Sequence, residues 1–190
     1  MPAEPVVPLP RPFLGSGAVT LRPLVAADAD GPYLDWFNDA EVCRWNAHHV
    51  RPYTREMALE YIAAAQGDGP DLVLAIEVEG AHVGNISLQE VRPLHRTADL
   101  AIVVGDRTVW GTGVGAAAAA LVVDHGFGAM NLHRITAATF AENAAMRRLA
   151  EKLGMVREGV RREALFKHGR HHDVIEYGLL AIERPRTDAG

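Results

Sequence analysis

Cysteine is nearly missing from this chain of 190 residues: Cys43 stands alone, so no disulfide framework is available within it. Basic charge is short as well. Nineteen Lys and Arg against 24 Asp and Glu leave a formal net charge of −5, the wrong sign for a domain that must neutralise phosphates along a duplex. The basic residues also cluster no further than short pairs, Arg147-Arg148 and Arg161-Arg162. Nucleic acid is therefore not expected as a primary partner. No apolar run approaches the roughly 20 residues that span a bilayer, and residues 1–12 hold five prolines without the apolar segment of a signal peptide. The expectation is a soluble, cytoplasmic protein with no membrane partner. At 48% apolar residues the chain is long enough for one domain to bury its own core.

Along the chain the periodicity changes repeatedly. Residues 1–17, with proline at 2, 5, 8, 10 and 12, read as a flexible extended arm, because proline stiffens the backbone and donates no hydrogen bond. Its VVPL and FLG patches suit packing on the body or on a second copy in a homodimer. Residues 184–190 read as a disordered tail, which leaves 18–183 as the folded domain. Within that domain Val19–Arg22 alternates as a strand closed by Pro23. Residues 28–45 have helical spacing, with Asp28 or Asp30 as N-cap and Pro32 in the first turn. Residues 54–65 form a second helix stopped by Gly67 and Gly69. Strands follow at 72–78, 83–88 and 98–104, the first two joined by a tight Glu79-Gly80 hairpin. A glycine-spaced loop at 111–115 opens a long Ala-rich helix ending near Gly126. A strand at 133–140, a helix at 143–153 closed by Gly154, and a hairpin of 160–166 with 172–180 around Lys167-His168-Gly169 complete a mixed α/β sheet.

The junction of strand 98–104 with the loop at Trp110-Gly111-Thr112-Gly113-Val114-Gly115 carries the chemistry. Glycines let a ligand approach the backbone, and the free amides of a helix start point at phosphate oxygens. A tight turn shaped only to pack the helix explains the same glycines. Gly111 to Ala116 also satisfies the dinucleotide spacing G-x-G-x-x-G/A, with Glu142 at the end of the following strand. That fingerprint, however, belongs to the first unit of a parallel sheet, whereas this loop follows an antiparallel meander.

The span from Val19 to about Leu180 resembles the GNAT superfamily of acyl-CoA-dependent N-acyltransferases, in particular the branch of ribosomal-protein N-terminal acetyltransferases. Trp110 to Gly115 fits its Q/R-x-x-G-x-G/A motif except at the first position. Gly84-Asn85-Ile86-Ser87-Leu88, Asn131 to Ile135, Asn143, the run Arg147 to Met155, and the Gly159, His168-Gly169 and Asp173 pattern resemble further segments at the expected distances. The resemblance implies an α/β (α+β) GNAT fold: a mostly antiparallel central sheet flanked by helices, with splayed fourth and fifth strands. It also implies acetyl-CoA as co-substrate. Ile102, Val103 and Val104 would offer backbone groups to the pantetheine and thioester. The amides of Trp110, Gly111, Thr112, Gly113, Val114 and Gly115 would hold the pyrophosphate, and Asn143 would contact the pantetheine arm besides capping its helix.

Transfer to a neutral amine needs a proton acceptor, an oxyanion donor and a proton for the thiolate. The resemblance points to Asp99, eleven residues before Trp110, as the base or water-orienting group, and to the Val104 amide as oxyanion donor. Relatives often carry Tyr at Ala150, Ser at Met146 and Glu at Ala117, and this chain lacks all three. Tyr177 and Tyr53 are the substitute phenols, and the losses leave room for an acyl-CoA-binding module with weak or no activity. The resemblance also implies an acceptor side built by the first two helices and the last hairpin, where Asp35 to His49 carries Trp36, Trp45, several acids and a His pair. It suits a primary amine on a small molecule, such as an amino sugar, or on a protein N-terminus. The clusters His48-His49 and His168/His171-His172 lack ligand spacing for a metal, the second reads as solvated turn residues of the last hairpin, and no metal is expected.

Overall fold

The computed structural model describes residues 10–184. In chain order its elements are β1 (Leu14–Ser16), β2 (Val19–Pro23), α1 (Tyr33–Asn38), α2 (Arg55–Ala65), β3 (Leu72–Val78), β4 (Ala81–Arg92), β5 (Thr97–Val104), α3 (Val114–Phe127), β6 (Arg134–Phe140), α4 (Ala144–Lys152), β7 (Val156–Lys167) and β8 (Arg170–Leu180). Among the described residues the strands form one eight-stranded sheet in the order β1-β2-β3-β4-β5-β6-β8-β7. Every neighbouring pair is antiparallel except β5 with β6. This is the mixed, mostly antiparallel sheet the sequence predicts. No helix among the described residues is long and apolar enough to cross a membrane.

Period-two alternation sorts the core into two layers. On β3, Leu74 and Ile76 join the cluster under α3 and α4, while Val73 and Ala75 face the cluster under α1 and α2. The turns are set by backbone geometry. Glu79 and Gly80 have φ of 52° and 80°, and His168 and Gly169 have 51° and 76°; two-residue hairpins of this hand require positive φ at both positions.

The sheet parts in the middle. β5 and β6 pair only at Thr97↔Arg134, Ala98↔Ile135 and Asp99↔Thr136. Beyond Asp99 the strands diverge, so the β6-facing backbone edge of Leu100 to Val104 lines a wedge instead of a ladder. These are the fourth and fifth strands of the sequence reading, shifted by one because β1 precedes them.

Three expectations change. The single helix over 28–45 is broken: a 3-10 turn at Ala26–Asp30 precedes Gly31 and Pro32, and α1 runs for only six residues. It ends because the Asp39 side chain accepts from the Glu41 and Val42 amides, bending the chain into turns. Neither acid caps α1: Asp28 is buried against Arg22, and Asp30 pairs with Arg55 on the surface. Part of the predicted arm is a strand, because Leu14–Ser16 pairs with β2, while residues 1–9 and 185–190 lie outside the described residues. Strand ends also extend past the expected bounds, most in β4 and β7.

Candidate active site

The wedge opens into a cavity of about 1150 Å³ that runs from the glycine loop, along β5, to an aromatic end built by Tyr33, Phe37, Trp45, Tyr53 and Phe140. Most residues singled out in the sequence converge there. Asp99, Ile102, Val103, Val104, Trp110, Gly111, Gly113, Gly115 and Asn143 all line it.

At the loop, Gly111 and Gly113 have φ of 77° and 95°, a conformation that L side chains rarely adopt. Gly113 is the N-cap of α3 and supplies no side-chain cap, so the first-turn amides of this 14-residue helix have no acceptor within it. The loop is tied to β5 by its tryptophan: the Trp110 indole N–H donates to the Val104 carbonyl at 2.8 Å, and the Arg107 guanidinium lies 5.6 Å from the ring centroid. Thr112 folds back instead, its hydroxyl donating to the Val109 carbonyl at 2.7 Å. Val114 packs into the core. Neither side chain lines the cavity.

Asp99 sits at the last paired rung, where β5 and β6 separate. It is half-buried, and the Thr136 hydroxyl donates to its carboxylate. Asn143 uses both ends of its amide locally: the oxygen accepts from the Met146 amide at 3.1 Å as cap of α4, and the nitrogen donates one hydrogen to the Thr139 hydroxyl at 3.1 Å. Tyr177 does not belong to this group. It is 3% exposed and packed in the core with Ala150, Leu153 and Met155. Its place on β8 opposite Ala137 turns it away from the cavity. Tyr53 does line the cavity, its hydroxyl 3.4 Å from that of Tyr33. Ala150, where relatives carry a phenol, is fully buried.

The sequence named the residues of the far wall but did not bring them together. His172 was read with the solvated turn, yet it is buried, with Nε2 3.0 Å from the Lys167 carbonyl and Nδ1 2.9 Å from Glu142. Burial tends to raise the Glu142 carboxyl, but the bond from His172 and the charges of His172 and Arg170 carry it below its ordinary value. His48 packs on Phe37 at 4.4 Å, and burial, followed by the charge of Lys167, pushes its imidazole below the ordinary value. Nothing in period or composition marks these contacts, because they join separate elements: Glu142 and His172 are 30 positions apart, and Lys167 and His48 are 119 apart. Among the described residues no three His, Cys, Asp or Glu side chains gather as a metal site.

Comparison with known proteins agrees with this architecture. The family model for the acetyltransferase (GNAT) domain matches residues 18–156. The uncharacterized N-acetyltransferase YoaA of Bacillus subtilis is 24% identical over 172 residues, covering 89% of this chain and 97% of the relative. The spermidine N(1)-acetyltransferase of Escherichia coli is 28% identical over 160 residues, 83% of each chain. The structure of Mycobacterium smegmatis RimJ in complex with CoA-disulfide superposes with a TM-score of 0.77 at 25% identity, over 94% of this chain and 89% of that one. The chain belongs to the GNAT acetyltransferase family and is an acyl-CoA-dependent N-acetyltransferase.

Proposed function

We propose that this protein transfers acetyl from acetyl-CoA to a primary amine, by direct attack in a ternary complex, and that the acceptor is an amino sugar or a peptide N-terminus. The observation that carries the reading is the parted sheet: the open edge of β5 leads from a glycine-rich helix start to an aromatic chamber. An extended pantetheine, with its two amides, matches an open strand edge, and a pyrophosphate matches the uncapped amides of α3. The residues expected to meet the cofactor, Ile102 to Val104, Trp110 to Gly115 and Asn143, fall on that path, although the Thr112 and Val114 side chains point elsewhere and would contribute through their amides.

In the reaction the neutral amine attacks the thioester carbonyl carbon. An N–C bond forms, the C–S bond breaks, and the thiolate leaves, taking a proton from water. Asp99, at the apex of the wedge, receives the ammonium proton directly or through a water, and the Val104 amide faces the developing oxyanion. Tyr177 has no place in this scheme, since it lies in the core. Of the two substitute phenols, Tyr53 is the one that lines the chamber.

Two arguments bear on the acceptor. An α-amino group of pKa ~8 is about a tenth neutral at pH 7, whereas an amine near 10.4 is neutral only about four parts in ten thousand. The cavity lining also carries three acids, Glu41, Asp99 and Glu142, against four bases, Arg44, Arg148, Lys152 and Arg161, which suits a singly charged amine better than a polycation. The spermidine acetyltransferase relatives make polyamines the comparison arm. The test is thiol release from acetyl-CoA with N-terminal peptides, free and nucleotide-linked amino sugars, and polyamines. Release with either of the first two supports the reading. Release with polyamines alone overturns the acceptor class, and acetyl-CoA that fails to bind in a parallel titration overturns the site.

A further inference from the structure

Residues 39–53 form much of the aromatic end of the cavity, through Trp45, Asn46 and His48, yet contain neither helix nor strand. Few main-chain hydrogen bonds hold this loop: Cys43 to Asp39 at 3.0 Å, Arg44 to Glu41 at 3.2 Å and Asn46 to Cys43 at 3.4 Å. Asn38 holds the loop's far end, bonding the Tyr53 amide and carbonyl, each at 2.9 Å, and one side chain from outside fastens its middle. The Lys167 ammonium donates to the carbonyls of Cys43, Asn46 and His48, at 2.5, 2.5 and 3.0 Å. All three of its protons are thereby used on backbone acceptors.

Lys167 is well placed to fix a loop. It ends β7 beside the tight turn at His168 and Gly169, so a rigid hairpin carries it. Its own carbonyl faces Nε2 of buried His172, whose other ring nitrogen faces Glu142 on the cavity wall. The next residue adds a fourth link, with His168 Nε2 3.2 Å from the Arg44 carbonyl. The acceptor loop is thus fastened to the β7–β8 hairpin and, through His172, to the end of β6.

We propose that Lys167 is the positioning residue of the acceptor site: it fixes the loop bearing Trp45 and His48 and thereby sets acceptor affinity without touching the reacting atoms. The proposal rests on the transferase reading above. Lys167→Met keeps the apolar stem and removes the three donors. In the full-length protein, KM for the acceptor is expected to rise at least about fivefold, roughly one lost hydrogen bond in free energy. Turnover at saturating acceptor and affinity for CoA should stay within about twofold. Lys167→Arg, which keeps a charged donor, should recover part of the loss. Independently of activity, amides 43–49 should exchange with solvent faster in Lys167→Met than in the wild type. A folded Lys167→Met protein with unchanged acceptor KM, or with unchanged exchange over 43–49, overturns the proposal. A fall in turnover with KM unchanged overturns it too, by placing Lys167 in the chemistry. If the wild type releases no thiol with any acceptor, the transferase reading fails and the acceptor role of Lys167 with it, while exchange still reports whether the ammonium holds the loop.

Discussion

Trp110 stands where the family motif has Gln or Arg, and its indole N–H, bonded to the Val104 carbonyl, fixes the start of the glycine loop against the end of β5. The glycines beyond it were legible because positive φ leaves few other choices. A Cβ at Gly113 would meet nothing within 4 Å, so Gly113→Val should cost about 1–2 kcal/mol from the backbone alone and still fold. It would set an isopropyl group over the helix amides. CoA affinity is expected to fall at least about tenfold by titration calorimetry; normal affinity would remove the loop from the cofactor site. Asp99 was legible only as an acid among apolar residues. Its place at the last rung of β5 and β6, bonded to Thr136, required the fold. Asp99→Asn should lower turnover at pH 7 by about a hundredfold with little change in CoA affinity. The deficit should narrow at higher pH, where the amine is already neutral, and identical rate profiles from about pH 6 to 9 would exclude Asp99 from proton transfer. Tyr177 was misplaced because alternation tells which residues share a face of a strand, but not which face meets a cavity.

At the scale of elements, the hairpins and the long helices were readable because their signals are local: paired positive-φ positions, glycine stops and Asn143 as an N-cap. The first helix was not. Its spacing is helical, but Asp28 is drawn into a buried ion pair and Asp39 caps a turn instead. The short α1 that results is held by packing. The Trp36 indole packs directly on Gly105, and a Cβ at that glycine would come within 1.9 Å of a ring carbon. Gly105→Ala should therefore push α1 off the sheet, costing about 1–3 kcal/mol and lowering the melting temperature by about 5 °C. Since Tyr33 and Phe37 of α1 line the cavity, acceptor KM should rise in the same variant. A melting curve that superposes on the wild type would show that the indole has room to move.

Across the whole molecule, the sheet and the alternation of its layers were legible, whereas the buried charges that fasten the N-terminal half were not. Arg22, 1% exposed, donates to both oxygens of Asp28 at 2.9 and 2.7 Å and to Glu77 at 2.8 Å, while His82 Nδ1 lies 3.3 Å from Asp28. Burial alone would raise the Asp28 carboxyl. The bonds from Arg22, then His82 and the Val25 amide, outweigh that and hold it well below the carboxylate range. A carboxyl depressed by folding stabilises the protein above its unfolded pKa, near 4, and that stability is lost as the pH falls toward the folded value. The melting temperature should accordingly fall steeply below about pH 4. Arg22→Met should cost about 3–5 kcal/mol, because two buried carboxylates lose their partner; a variant as stable as the wild type at pH 7 would show that water or a protonated acid takes its place. The three rungs between β5 and β6 have a different consequence. They make a perforation across the molecule, with five strands on one side and three on the other, and under tension the two parts should separate along it. A ligand lying along both margins would act as a staple, so its grip should register as added force needed to rip the two halves apart.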